Sequence, residues 1–241
     1  MKREQEGLLK LLKEIDTICK DNNIRYYVSG GTVIGAVRHE GFIPWDDDVD
    51  VYMTRDNWNA FREAFKKKMP EHRALECWED NENFFNLLGR YMSTDTTQIH
   101  KFQLYGNAVM GQIIDMFVLD PMINDDEAIR NYQKDVMLAS DLVNDFVVYS
   151  SRWDSCEEYA ILRDRMDRED RYAVIREVVS RLEQYEEAEA DCYVLRWGGI
   201  PHVFPKEMFG EPKYLRFEDM DVPVPSKVCD YLTQLDRKSV V

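Results

Sequence analysis

The sequence predicts a mixed α/β fold with a helical second half, and three observations lead there. Apolar residues at helical spacing open the chain. "DDVDVYM" alternates with the period of a strand. From Asp125 to about Cys192 the pattern is helical and strongly charged. A length of 241 residues allows one sizeable core or a core with an appended lobe. The boundary falls near residue 122, giving a first unit of 1–122 and a second of 123–241.

The elements follow in order. Leu8, Leu11 or Leu12, Ile15 and Ile18 or Cys19 share one face of an N-terminal helix. Charges interrupt its apolar residues, so it lacks the continuous core of a signal peptide. It reads as a helix packed on the domain, with a membrane-surface helix as the alternative. "IRYYVSGG" reads as a short strand running into a glycine break, and Thr32 opens a short helix ending near Gly41. Pro44 biases Ile43 toward an extended conformation. In the next strand Asp48, Asp50 and Tyr52 take a wet face, and Val49, Val51 and Met53 a buried one. Thr54 is placed to cap a helix whose Trp58, Phe61 and Phe65 share a face. "RALECW", "FNLLGRYM" and "QIIDMFVLD" are further strands. Five prolines from Pro201 to Pro225 cut the C-terminal stretch into turns and short elements.

Composition excludes several classes. The net charge of −15 and pI near 4.8 repel phosphate backbones, so no nucleic-acid partner is expected. No run approaches the roughly 20 apolar residues of a membrane helix, so no integral membrane segment is expected. The five cysteines are odd in number and far apart, which suits reduced, mostly buried thiols in a cytoplasmic protein. The four scattered histidines offer no zinc spacing.

The chemistry lies in the carboxylates. Residues two apart on a strand point the same way, so Asp48 and Asp50 present side by side. Such a pair is costly unless a proton or a cation relieves it. Hard oxygen ligands suit magnesium, or manganese. Asp46 shares their parity but precedes the strand, and Asp47 faces elsewhere. Asp115 interrupts an apolar strand, where a lone charge needs a partner. It completes a metal site if the two strands are neighbours; otherwise it pairs with an arginine or caps a turn. Gly30 and Gly31 offer backbone amides to phosphate oxygens, although a Gly-Gly pair alone is commonly only a turn.

"GGTVIGAVRHEGFIPWDDDVDVYMTRDNW" resembles the hallmark segment of the LicD family, which includes phosphocholine transferases and fukutin-related ribitol-phosphate transferases. "LLKEIDTICKDNNIRYYVSG" and "IIDMFVLD" resemble the family in order and spacing, and "RFEDMDVPVP" does so more loosely. The resemblance implies a nucleotidyltransferase-like mixed sheet core with flanking helices and a helical C-terminal lobe. It implies Gly30 and Gly31 as the glycine turn, Asp48 and Asp50 as the paired acids, and Asp115 as the third. The implied activity moves a phospho-alcohol, such as phosphocholine, from a CDP-activated donor to a sugar or glycan hydroxyl, which a lipid can carry. Magnesium would assist. The alternatives are a nucleotidyltransferase using CTP or ATP, and a non-catalytic binding or structural protein.

Positive groups complete the expected substrate site. Arg38 is the preferred phosphate clamp, with pairing to Asp46 or Asp47 as its alternative. Arg55 and Arg90 are further candidates, and His39 either binds donor or is structural. Trp45 stacks on a base or covers the metals, or is a packed aromatic. A quaternary ammonium group would need an aromatic cage, drawn from Tyr26, Tyr27, Trp78, Tyr91 and Trp197. Family members often carry Tyr-Gly-Asp after the "YL" helix; "CDYLTQLDRKSVV" lacks it, which bears on acceptor choice more than on metal binding.

Overall fold

The computed structural model describes residues 2–81, 84, 86–98, 109–144, 156–197 and 201–238, with side chains only to residue 235. Helix α1 (Arg3–Asp21) buries Leu8, Leu11, Leu12, Ile15 and Cys19, so its apolar face meets the protein interior. The two-residue strand β1 (Tyr27–Val28) leads into α2 (Gly30–His39). Helix α2 opens on Gly30 itself, two residues before the expected start. Strand β2 (Asp50–Thr54) then runs into α3 (Arg55–Lys67), which buries Trp58, Phe61 and Phe65. Thr54 is the N-cap residue, but its side chain makes no cap bond; its hydroxyl accepts from Asn57 Nδ2 at 2.7 Å.

Three further strands, β3 (Arg73–Glu76), β4 (Gly89–Ser93) and β5 (Ile113–Met122), complete a path ordered β1-β2-β5-β4-β3. Strand β5 is parallel to β2 and antiparallel to β4, so the sheet is mixed. Helices α1 and α3 cover one face, where Phe61 and Phe65 meet Tyr91 edge-on. On the other face Tyr52 is buried beside Phe204, Phe209 and Tyr231. The expected wet face of β2 is therefore covered at Tyr52 and open only toward Asp50. Alternation separates the two faces of a strand but does not show what later packs on either.

The charged middle folds as α4 (Asp126–Asn144), α5 (Glu157–Met166) and α6 (Arg171–Ser180) around an apolar cluster of their own. The chain then returns to the sheet: β6 (Cys192–Leu195) pairs with β5, and β7 (Val203–Pro205) pairs with β6. The hairpin β8 (Lys213–Phe217) and β9 (Met220–Val224) packs on α2, and α7 (Val228–Lys238) follows.

A buried ion network ties these parts together. Asp120 of β5 accepts from Arg55 Nε at 2.9 Å and from Arg196 Nε and Nη2 at 2.7 and 2.8 Å. Tyr132 of α4 donates to it at 2.5 Å. Burial would raise the Asp120 carboxyl, but Arg196, then Arg55 and Tyr132, hold it below its ordinary range. All five cysteines are free, and three are buried. Among the described residues no helix is long and apolar enough to cross a membrane.

Candidate functional site

Three adjacent strands place a charged row on the open face. Asp50 of β2 is the register partner of Asp115 of β5, and Asp115 is the register partner of Arg90 of β4. Register partners point to the same face, on strands about 4.8 Å apart. Arg90 Nε donates to Asp115 Oδ1 at 2.9 Å. A second row, aromatic, lies one side-chain step further along β2 and β5. Tyr52 pairs with Phe117, their rings 5.9 Å apart, and Trp197 meets Phe117 edge-on at 5.4 Å.

Asp48 sits just before β2, at the surface. Its carboxylate and those of Asp46 and Asp47 offer oxygens within 4.8 Å of one another. Partial desolvation, then Asp46 and Asp47, push the Asp48 carboxyl up to about 6, with solvent screening part of that repulsion. Asp50 is more enclosed. Burial first, then Asp48, Asp115 and Asp46, push its carboxyl up to about 8. The acids of the loop, β2 and β5 therefore share one electrostatic field.

Two glycines let α2 begin against these carboxylates. Gly30 has φ +53°, a left-handed conformation that favours glycine. A Cβ on Gly31 would lie 2.9 Å from Asp46 Oδ2. The expected amide cradle needs correction, because two of its N–H groups are engaged. Gly30 donates to Tyr231 Oη at 2.9 Å, and Thr32 donates to Ser29 O at 3.0 Å. The Gly31 amide, in the first helical turn, has no intrahelical acceptor. Thr32 instead supports the acid: its Oγ1 accepts the Asp50 N–H at 3.2 Å.

Several expected contacts are not brought to the acids. Arg38 and His39 are exposed at the far end of α2, about 13 Å along the helix from Gly30. Arg55 follows the opposite end of β2 from Asp50. Its guanidinium is spent on Asp120 and on the carbonyls of Glu183 and Tyr185. Trp45 is 77% exposed, so it is not a packed aromatic. Tyr26, Tyr27, Trp78 and Tyr91 are interior residues, which removes them as cage walls. Trp197, 40% exposed, remains.

Three supports were not singled out from the sequence. Tyr231 holds Gly30. Gln5 Nε2 donates to Asp46 O at 2.9 Å and to Ile43 O at 3.3 Å, fixing the acidic loop from α1. Its polar side chain on the Leu8 and Leu12 face was a readable signal, since a buried amide needs partners. Glu218 accepts the Phe42 N–H at 3.1 Å, and Phe217 packs 4.8 Å from Phe42. "RFEDMDVPVP" thus clamps the end of the glycine helix.

Asp48, Asp50 and Asp115 have the oxygen donors that suit a hard divalent cation, but among the described residues the carboxylates that converge within 4.8 Å are Asp46, Asp47 and Asp48, so Asp47 does not face away as expected. They supply oxygen only, and the raised Asp48 and Asp50 carboxyls show negative charge that Arg90, bonded to Asp115, does not neutralise.

Residues 23–114 match the LicD/FKTN/FKRP nucleotidyltransferase domain. Over 80 residues the chain is 42% identical to lipopolysaccharide cholinephosphotransferase LicD of Haemophilus influenzae, covering 33% of this chain and 30% of that protein. Over 69 residues it is 39% identical to an uncharacterized protein of Rickettsia typhi, covering 29% and 21% respectively. These matches span less than a third of each relative's own length. The matched segment contains both glycines, the Asp48–Asp50 pair and Arg90, and it ends one residue before Asp115. The likeness to the LicD family therefore rests on residues 23–114, the segment that carries the glycine turn and the paired acids.

Proposed function

We propose that this protein is a metal-dependent phosphotransferase that moves a phospho-alcohol from a CDP-activated donor to a sugar or glycan hydroxyl. The observation that carries the reading is the row Asp50–Asp115–Arg90, two acids and a cation in register on three strands. The similarity to a cholinephosphotransferase makes phosphocholine the first donor group to test.

The residues divide the work. Asp48, Asp50 and Asp115 would hold magnesium or manganese, which when bound neutralises pyrophosphate charge and favours nucleotide departure. Arg90 orients Asp115 through Oδ1 and adds positive charge beside the phosphate. The Gly31 amide donates to a phosphate oxygen. The acceptor hydroxyl oxygen attacks the phosphorus bearing the alcohol, the bond to CMP breaks, and Asp115 Oδ2 takes the hydroxyl proton. Catalysis of this kind rests on alignment and charge more than on a covalent nucleophile.

A mass-spectrometric screen of CDP-alcohols with magnesium, reading CMP release, tests the reading. CMP should appear with at least one donor and disappear in the Asp48→Asn, Asp50→Asn double variant. A folded double variant that still releases CMP overturns it, and labelled nucleotide transferred from CTP supports the nucleotidyltransferase alternative.

A further inference from the structure

The aromatic row behind the acids ends in a side chain whose exposure calls for a physical reason. Trp58 and Trp78 are buried, whereas Trp45, in the acidic loop, and Trp197, beside Phe117, leave 77% and 40% of their surface to solvent. The position of Trp197 is firmly set. The preceding Arg196 is buried and locked onto Asp120 through two nitrogens, and its N–H donates to Val118 O at 2.9 Å. The Trp197 N–H donates to Leu195 O at 2.8 Å, and its carbonyl accepts from Gln133 at 3.2 Å. The indole rests edge-on against Phe117, which lies two residues beyond Asp115 on β5 and faces the same way. That step along a strand is about 7 Å. A rigid aromatic surface thus borders the charged row, near its Arg90 end.

We infer that Trp197, backed by Phe117, is the specificity-determining wall for the alcohol carried on the donor phosphate, and that it selects an organic cation. This rests on the phosphotransferase reading above. The spacing suits a short alcohol: phosphate at the Asp50–Asp115–Arg90 row leaves the alcohol one side-chain step away, at the indole. The charge suits a cation, because an aromatic face attracts one and the chain as a whole carries a net charge of −15. Trp197 acts on binding of the donor and takes no part in bond breaking.

The test uses the full chain with CDP-choline and with the CDP ester of 3,3-dimethylbutanol, its uncharged isostere. Trp197→Leu should raise KM for CDP-choline about tenfold with little change in kcat. It should leave KM for the neutral donor nearly unchanged, and Trp197→Phe should recover part of the loss. Equal KM losses for both donors would assign the indole to the nucleotide and overturn the inference, as would no loss for either. Thermal melting checks that each variant folds; a Trp197→Leu that does not fold passes the decision to Trp197→Phe, which must then lose selectivity for the cation. A wild-type chain that releases CMP from another CDP-alcohol but from neither of these overturns this inference alone, and one that releases CMP from no CDP-alcohol overturns the phosphotransferase reading with it. An active wild type with unselective variants overturns this inference alone.

Discussion

Asp50 and Asp115 are register partners on parallel strands, held on one face of the sheet with Arg90 paired to the far side of Asp115. That relationship places two enclosed carboxylates against each other with only one of them bonded to a cation. Its consequences for stability and activity can be measured separately.

Asp50 weakens the cation-free fold as pH rises. Its carboxyl sits near 3.8 in an unfolded chain and near 8 in the folded protein. Below about pH 4 it is protonated in both states and costs nothing. Between about 4 and 8 the unfolded state gives up the proton while the folded state keeps it, so stability falls through that window. Asp50→Asn should therefore stabilise the cation-free protein by about 1–3 kcal/mol at pH 8 and hardly at all at pH 4. Urea titrations at the two pH values read the difference, and an equal effect at both would contradict the electrostatic account.

Magnesium should raise the melting temperature more at pH 8 than at pH 5, because cations compete with protons for the same oxygens. With CDP present the rise should be several degrees. Chelator should reverse it, and Asp50→Asn should abolish it. A shift unaffected by Asp50→Asn would place the cation elsewhere.

Arg90 and Asp115 should show coupling in a double-mutant cycle. Arg90→Met leaves a half-buried carboxylate without its partner and should cost about 1–3 kcal/mol. Adding Asp115→Asn should return part of that loss. Both variants should lose at least a hundredfold in transfer rate. Additive stability losses would mean that the 2.9 Å contact contributes little.

Tyr231 and Gly30 test the support of the glycine helix. Tyr231→Phe removes the acceptor for the Gly30 amide and should cost about 1 kcal/mol. Gly30→Ala puts a side chain at φ +53° and should cost about 1–2 kcal/mol. Both should lower transfer more than stability. Unchanged activity in a destabilised Tyr231→Phe would make the contact purely structural.

The ion network at Asp120 carries the remaining prediction. Asp120→Asn leaves Arg55 and Arg196 buried without their counter-charge and should destabilise by about 3–5 kcal/mol. The depressed Asp120 carboxyl contributes stability above its unfolded value, and that contribution is lost as pH falls through the folded one. The variant should therefore be least distinguishable from wild type in strong acid, which melting curves against pH would show.

What local chemistry dictates was legible early. The spacing of Leu8, Leu12 and Ile15 marked a helix, and an acid among the apolar residues of "QIIDMFVLD" marked Asp115 as needing a partner, whereas the parity of Asp48 and Asp50 did not carry over because the strand begins only at Asp50. The first two depend only on the periods of helix and strand, which a linear sequence displays. Arg55 misled because nearness in sequence to the acids suggested nearness in space. A five-residue strand carries it to the opposite end, where Asp120 receives it.

By itself the sequence determined the element types, the glycines and which acids are candidates. Only the tertiary structure decided which strand lies beside which, and so that Arg90 binds Asp115, Tyr231 caps Gly30 and Trp197 alone of its expected group stays exposed. The physical reason is range. Periodicity orients a side chain relative to its own backbone, whereas partners and burial come from segments far away in the chain, whose positions follow from packing the whole core.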